Sequence, residues 1–550
     1  MKHIYKYLFV GLLNIALLFP LGCSEDFLDE KVLTFYSEEN FYNSPEGMDL
    51  AVVALYSDVM YDMIREPNGR MAFYESWVLG TDIAFPSVIN YRVNEDIISH
   101  YTSDWNADYS LVLIVWKYCY AAISKTNVIL SNIDLPEWES DAQKNRIKGN
   151  ALFFRAWWYF YLVQAYGDIP LVTEPVEEAK TDFVRIPKSE VVTQIIADLT
   201  EAINTLPEID EVEREGEIGK GAAQHLLTNV YLYQEEWAKA EQMATNLIEG
   251  GSYQLMTERF GVKKDEAGTP FTDLFWDGNM NRWEGNNEMI WAVQAANEDL
   301  TEGNSHYLKI WWLAQYSKVK GLTYSLEYWQ QGKAVGQVSE YFLNIFDNQD
   351  DRGSEYAIKK TWLFNDAATI QSLKNAGTPL TQVVNGKTVE VEVGDTVVIT
   401  SANLNYLYPF PTKFMDVMGT SVADDYSDKD IAFMRLGETY LFRAEAKFQQ
   451  GNLSGAADDI NILRRRAHAQ EISSADIDID FILDERAREL TTEENRRFTL
   501  MRTGKLVERN QLYNSGAKDN IAEKHNLYPI PQDEIDRMKD SPNFQQNPGY

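Results

Sequence analysis

Seven aromatic residues crowd the 23 positions from Tyr307 to Trp329: Tyr307, Trp311, Trp312, Tyr316, Tyr324, Tyr328 and Trp329. The chain-wide aromatic content of 13% would place about three there. Indole and phenol rings have electron-rich faces that meet the C–H groups of a sugar, while Asn, Asp, Glu and Lys nearby bond its hydroxyls. Lys318, Lys320 and Glu327 are interleaved among the rings and suit that role. Such a platform binds without chemistry. The alternative is that Trp312/Tyr316 and Tyr324/Tyr328, each at i,i+4, form the inward stripes of two short helices. Stripe and platform can share one helix. A second candidate wall runs from Trp77 to Trp105, where Gly80-Thr81-Asp82 precedes a loop carrying Tyr91, Arg92, Asn94 and Tyr101.

Catalytic constellations are missing from the sequence. It has no H-E-x-x-H, no G-x-S-x-G, no P-loop and no paired C-x-x-C, so zincin, hydrolase and nucleotide-dependent chemistry lack their geometry. The six histidines are scattered; His225 and His468 sit in helical patterns where a satisfied side chain is expected, and no metal or cofactor is called for. Asp347-Asn348-Gln349-Asp350-Asp351-Arg352-Gly353 and Asp424-Asp425-Tyr426-Ser427-Asp428 lack the spaced calcium loop with its closing glutamate and read as solvated turns. Asp484 and Arg488 fall at i,i+4 and read as a structural pair. Acids are too abundant for a glycosidase pair to be singled out.

The N-terminus carries a different chemistry. Between Lys6 and Glu25 there is no charge, and the stretch ends on Leu21-Gly22-Cys23. A basic start, an apolar run and a small residue before the break make an export signal over residues 1–22. A cysteine directly after the cut can take a lipid and tether the product to a membrane. Cleavage removes two lysines and moves the net charge from −34 to −36. That balance argues against nucleic acid or an anionic membrane surface as partner. With Cys23 lipidated, Cys119 has no partner for a disulfide and is expected in the core.

Helical patterning dominates both ends of the 550 residues. Asn150 to Tyr166 is apolar nearly all round, as a helix buried between others should be, and Gly167-Asp168-Ile169-Pro170 stops it. Leu227-Thr228-x-x-Tyr231 with Ala240-x-x-x-Ala244, and Arg443-Ala444 with Ala456-x-x-x-Ile460, read as two helical hairpins of tetratricopeptide type. Lying far apart, they suggest hairpins wrapped into a globular body and not a regular solenoid. Strand signals are confined to 381–400, where polar and apolar residues alternate about Asn385-Gly386. Turn-rich stretches at Gly261–Thr269 and Asp277–Asn287 read as surface loops, the first dividing two halves.

Read together, Cys23-Ser24-Glu25-Asp26-Phe27-Leu28-Asp29, Arg155-Ala-Trp-Trp-Tyr-Phe-x-Leu-Val-x-x-Tyr-Gly-Asp-Ile-Pro-Leu171, Leu436-Gly-Glu-Thr-Tyr-Leu-Phe-Arg-Ala-Glu-Ala446, Asp484-Glu-Arg-Ala-Arg-Glu-Leu490, Leu527-Tyr-Pro-Ile-Pro-Gln532 and Gln546-Asn-Pro-Gly-Tyr550 resemble the SusD/RagB family of outer-membrane nutrient-capture lipoproteins of Bacteroidetes. The chain departs from the family's Gly, Trp and Asp at Glu494, Arg497 and Thr499. The resemblance implies a mainly α fold with tetratricopeptide-like hairpins, long loops and a small β-hairpin insertion near 381–400. It further implies an N-terminal half over 23–260, a C-terminal half over 261–550, a lipid on Cys23 and a place at the outer membrane facing the exterior. The implied partner is a SusC-type TonB-dependent barrel that receives oligosaccharide, or peptide in some members. Asp82, Arg92, Trp311, Trp312, Tyr316 and Trp329 are the expected ligand contacts. A non-catalytic glycan binder is the leading expectation; a peptide binder and a secreted glycosidase are the alternatives.

Overall fold

The computed structural model describes residues 41–60, 64, 72–87, 93–295, 305–417, 421–424 and 426–550. The leader, Cys23 and Arg92 lie outside them. The chain opens with α1 (Pro45–Asp58), started by Ser44, whose Oγ accepts from Gly47 N at 3.1 Å, and by Pro45, whose missing N–H costs nothing in a first turn. The short α2 (Ala72–Val78) follows. A continuous array of helices then begins with α3 (Ser110–Ser131) and α4 (Asp141–Tyr166). It continues through α5 (Lys188–Thr205), α6 (Lys220–Tyr233) and α7 (Trp237–Glu249), each packed on its predecessor. As its composition requires, α4 is buried on nearly every side over Asn150–Tyr166, and Gly167 ends it at φ 75°. Cys119 is buried in α3.

The C-terminal half extends the same array. Helices α8 (Leu436–Gln449) and α9 (Leu453–Arg466) form the second hairpin, and α8 packs directly on the first hairpin, Phe442 and Ala446 clustering with Leu232 of α6 and Ala240 of α7. Thus the two hairpins legible in the sequence, far apart along the chain, are neighbours in space. Small residues let their axes approach. Helices α10 (Ile479–Leu490) and α11 (Arg496–Arg502) close over this layer, α10 on α8 and α11 on α2.

Both hairpin turns use one geometry. In the second, Gly451 takes φ 81° while Asn452 N bonds Lys447 O and Gly451 N bonds Phe448 O. In the first, Glu235 takes φ 58° with Glu236 N on Tyr231 O and Glu235 N on Leu232 O. A side chain in the left-handed region costs about 1 kcal/mol. Glu235 is exposed. Glu235→Gly is therefore expected to raise stability by up to about 0.5 kcal/mol after glycine's own chain entropy, read as a higher urea midpoint with unchanged slope.

Strands are short and paired two by two among the described residues: β1 (Ala84–Pro86) with β3 (Gly336–Val338), β2 (Met289–Val293) with β8 (Ile431–Arg435), β4 (Ile358–Lys359) with β7 (Phe410–Pro411), and β5 (Thr381–Val384) with β6 (Lys387–Glu390). The β5–β6 hairpin turns at Asn385-Gly386, both at positive φ, as the sequence requires. Two expectations need correcting. Thr396–Thr400 forms no strand, only a single bridge from Thr396 to Leu363, and strands are not confined to 381–400. The others are two to five residues long, and β2 is buried throughout, so no alternation marks it in the sequence.

Buried charge holds the C-terminal elements together. Glu489 accepts from Arg352 Nη1 at 3.0 Å, from Arg435 Nη1 at 2.5 Å and from Arg466 Nη2, while Arg435 also reaches Glu288 at 2.9 Å and Glu493 at 2.6 Å. The expected Asp484–Arg488 pair does not form: Arg488 turns to Glu485, and Asp484 binds Arg509 and Tyr341. The Asp347–Gly353 turn is not simply solvated either. Asp350 is buried against Arg352 at 2.8 Å, Asp347 meets Arg464 and Asp351 meets His468. The residues that depart from the family pattern are absorbed locally. Glu494 receives Arg486, Arg496 and Thr499, and the Arg497 guanidinium lies 5.0 Å from the Tyr101 ring and 5.1 Å from that of Trp105.

Candidate functional site

Among the described residues, most rings of the two aromatic walls expected from the sequence are buried; Tyr91 and Arg92 lie outside those residues. The helix Leu308–Trp312 is one turn long, and the chain returns beside it with Val335 N on Trp311 O and Ala334 N on Leu313 O. This folds Trp311 and Trp312 inward. Trp312 gives its indole N–H to the Tyr74 hydroxyl at 2.8 Å, and the Trp311 ring sits against Gly336, where a Cβ would stand 1.8 Å from it. Tyr316 is buried and stacks on Trp362 at 4.9 Å, with Tyr328 edge-on to the same indole at 5.1 Å. Of the expected contacts in this stretch, Trp329 alone is half-buried, held at φ 55° with its ring edge toward Phe410. The local excess of rings is met by Trp362 and Phe410, residues outside the stretch.

The earlier wall has the same fate. Trp77, Tyr101 and Trp105 are buried. Asp82 is buried too, bound by Arg496 through Nε at 2.9 Å and Nη2 at 2.7 Å and by Arg509 Nε at 2.6 Å. Burial pushes its carboxyl up, but the two guanidiniums outweigh that and hold it below the ordinary carboxylate range. Asp82 is thus a structural ion pair in the core. Asp82, Trp311, Trp312 and Tyr316 are all buried.

A different residue is presented. Trp283 is 46% exposed, and among the described residues no other tryptophan is left so open. It stands at the centre of a 3₁₀ turn, Arg282–Glu284, whose neighbours are pinned. Asn281 N bonds Glu284 Oε2 at 2.8 Å, and Gly285 closes the turn at φ 95°. Arg282 Nε meets Asp210 at 3.0 Å, and its guanidinium lies 5.7 Å from the Tyr253 ring. The ring is therefore held out by a rigid frame, which cuts the entropy lost on binding.

The indole lines an open cleft of about 750 Å³ together with Arg214, Asp277, Asn281, Gln294, Asp428 and Asp430. Pairing of β2 with β8 brings these distant segments together: Gln294 follows the end of β2, and Asp428 and Asp430 precede β8. Gln294 Nε2 bonds Asn281 Oδ1 at 2.9 Å, and Asp430 accepts from Asn281 Nδ2 at 2.6 Å and from Ala295 N at 2.9 Å. Burial, with Glu284 and Asp277 nearby, pushes the Asp430 carboxyl up to about 6 against those two hydrogen bonds. Because both its oxygens already accept hydrogen bonds, Asp430 is a poor proton donor. The cleft offers an aromatic face ringed by hydroxyl-binding groups, which suits holding a polyol.

Two other cavities fit a sugar chain less well. One, of about 120 Å³, lies between Trp77, Trp157, His225 and Arg486 and is too small for an oligosaccharide. The other, of about 310 Å³, is largely apolar, between Trp116, Tyr120, Phe183 and Phe544. Sequence reasoning passed over Trp283 by assigning Asp277–Asn287 to a loop. The usable signal was one indole in a polar, turn-rich segment that has no apolar stripe to bury it.

Comparison with known proteins follows this geometry. A family model described as the SusD family matches residues 287–550, and one described as starch-binding, associating with outer membrane, matches residues 35–232. SusD-like protein P25 of Formosa agariphila is 24% identical over 555 residues, spanning 95% of both chains. The starch-binding protein SusD of Bacteroides thetaiotaomicron is 25% identical over 507 residues, 89% of this chain and 88% of the relative. Among solved structures, surface glycan-binding protein A from Bacteroides thetaiotaomicron in complex with laminarihexaose superposes with a TM-score of 0.67 at 18% identity, over 91% of this chain and 99% of that one. A laminarin-binding SusD-like protein does so with 0.64 at 22% identity, over 92% and 99%. These likenesses show the fold.

Proposed function

Since the chain belongs to the SusD family, we propose that it is a lipid-anchored, non-catalytic protein of the outer membrane that holds a glycan in the Trp283 cleft and passes it to a SusC-type TonB-dependent barrel. The observation that carries this reading is the exposed, rigidly framed indole of Trp283 in a polar cleft of about 750 Å³. An exposed indole on a fixed frame offers a flat apolar face with an N–H at its edge, the kind of surface on which a sugar ring can stack. The relatives named for starch and laminarin binding make a sugar the natural cover. Trp329, half-buried and held in a left-handed backbone conformation, is proposed as a further contact for a longer chain.

The test is isothermal calorimetry of the mature protein against a panel of hexaoses, with co-purification of the barrel from membranes. Heat with at least one oligosaccharide supports the reading. Release of reducing sugar by the purified protein would replace it with a glycosidase.

The membrane anchor has its own test. Cys23→Ala is expected to abolish incorporation of labelled palmitate completely and to move the protein from the membrane to the soluble fraction, since a thiol at that position is the only attachment point the leader offers. Retention of label in the variant would place the lipid elsewhere.

A further inference from the structure

Resting on the reading of the Trp283 cleft as a glycan site, the arrangement of charge around it narrows the kind of glycan: we infer that the cleft takes neutral chains and turns away chains bearing uronate carboxylates or sulfate esters. A polyanionic sugar needs a base to meet each charge it buries, usually an Arg fork. Among the described residues that line the cleft, the only bases are Arg146 and Arg214, and both are already spent. Arg146 gives Nη1 to both oxygens of Glu217, at 2.7 and 2.9 Å, and Nη2 to Asp49. Arg214 gives Nη1 to Glu217 at 2.8 Å and Nη2 to Asp49. The two guanidiniums thus face two carboxylates and add no net positive charge.

Bases behind the wall are no more available. Lys429 is buried with Nζ on the carbonyl of Lys413 at 2.6 Å, and Lys309 is buried with Nζ on Gln330 Oε1 at 2.8 Å and Asp416 at 3.6 Å. Arg282 is committed to Asp210 and Tyr253. Among the described residues, by contrast, Asp277, Asp428, Glu284 and Asp430 line the cleft without an ion pair. Burial is the largest cause pushing Asp428, Glu284 and Asp430 up; Asp277 adds to all three, Asp416 adds to Asp428 and Glu284 to Asp430, while the buried Lys309 pulls Asp428 down. A carboxylate or sulfate entering here meets an excess of like charge and no base that is not already paired with a carboxylate, while a neutral sugar finds hydroxyl acceptors and the indole face.

The experiment titrates the mature protein with neutral hexaoses (malto-, laminari-, cello- and xylo-series) and with hexagalacturonate, each against the unmodified protein, Trp283→Ala and the double variant Asp277→Asn/Asp428→Asn. Among the described residues neither aspartate makes a hydrogen bond or ion pair, so the double variant is expected to fold normally. The expected result is a neutral hexaose that binds through Trp283, hexagalacturonate at least 30-fold weaker, and a gap between the two narrowed at least 5-fold by the double variant. Hexagalacturonate binding as tightly as the neutral chains through Trp283 would overturn the charge inference and leave the glycan site standing. If no hexaose of either kind needs Trp283, the site itself falls, and the inference with it.

Discussion

Trp283→Ala is expected to weaken binding of the best neutral oligosaccharide about 30-fold, or about 2 kcal/mol, the scale of a tryptophan hot spot at the centre of a binding surface. Stability should scarcely change, because the ring is 46% exposed and its frame is held by Asn281, Glu284 and Arg282 without it. The pair of readouts matters. Calorimetry with an unchanged melting temperature separates a lost contact from a lost fold. By the same measurement, Trp311→Ala and Trp312→Ala should lose stability, since both rings are buried and Trp312 is hydrogen-bonded to Tyr74. Unchanged affinity in Trp283→Ala would remove the cleft from the binding surface.

The second large effect concerns Glu489. Its carboxylate stands between Arg352, Arg435 and Arg466, all of them buried. Burial alone would raise its pKa, but the guanidiniums of Arg466, Arg435 and Arg352 outweigh that and hold it well below the usual carboxylate range. Glu489→Gln keeps the shape and removes the charge. It is expected to cost roughly 3 to 5 kcal/mol, because guanidiniums stay buried with one compensating charge too few. Urea unfolding followed by tryptophan fluorescence measures it, and a loss below about 1 kcal/mol would show that Glu288, Glu493 and Glu485 already suffice.

The same group fixes a direction with pH. A carboxylate lowered by folding contributes stability that is present above its unfolded pKa and lost as pH falls through the folded one. Glu438, brought to about 2 by His225 and Arg486 against its burial, and Glu485 and Asp82, both lowered, share this sign with Glu489. The protein is therefore expected to hold its stability at neutral pH and lose it steeply below about pH 4.5.

Much of the architecture was legible because it rests on local pattern. The all-round apolar run of Asn150–Tyr166, the small residues of the two hairpins and the Asn385-Gly386 turn each have a short-range cause, and each folds as read. What was not legible depends on partners distant in sequence. The crowding of rings over Tyr307–Trp329 looked like a platform because nothing nearby could cover it. Trp362, Phe410 and Tyr74 do, from segments whose approach no local spacing announces. Asp82 looked solvent-facing beside Gly80-Thr81 because its two arginines arrive from 414 and 427 positions away. The cleft was hidden for a kindred reason, since Trp283, Gln294 and Asp430 meet only through the pairing of β2 with β8.

The contact of α7 with α8 joins Trp237–Glu249 to Leu436–Gln449, and the arginines of Asp82 sit in the last tenth of the chain. On the export proposed above, the chain crosses the membrane from its N-terminus. The first helices would then wait on the far side, with their α8-facing surface and an uncompensated aspartate still wet, until the last elements arrive. Under that proposal closure of the layer comes last, and until then the polypeptide would depend on a holding factor.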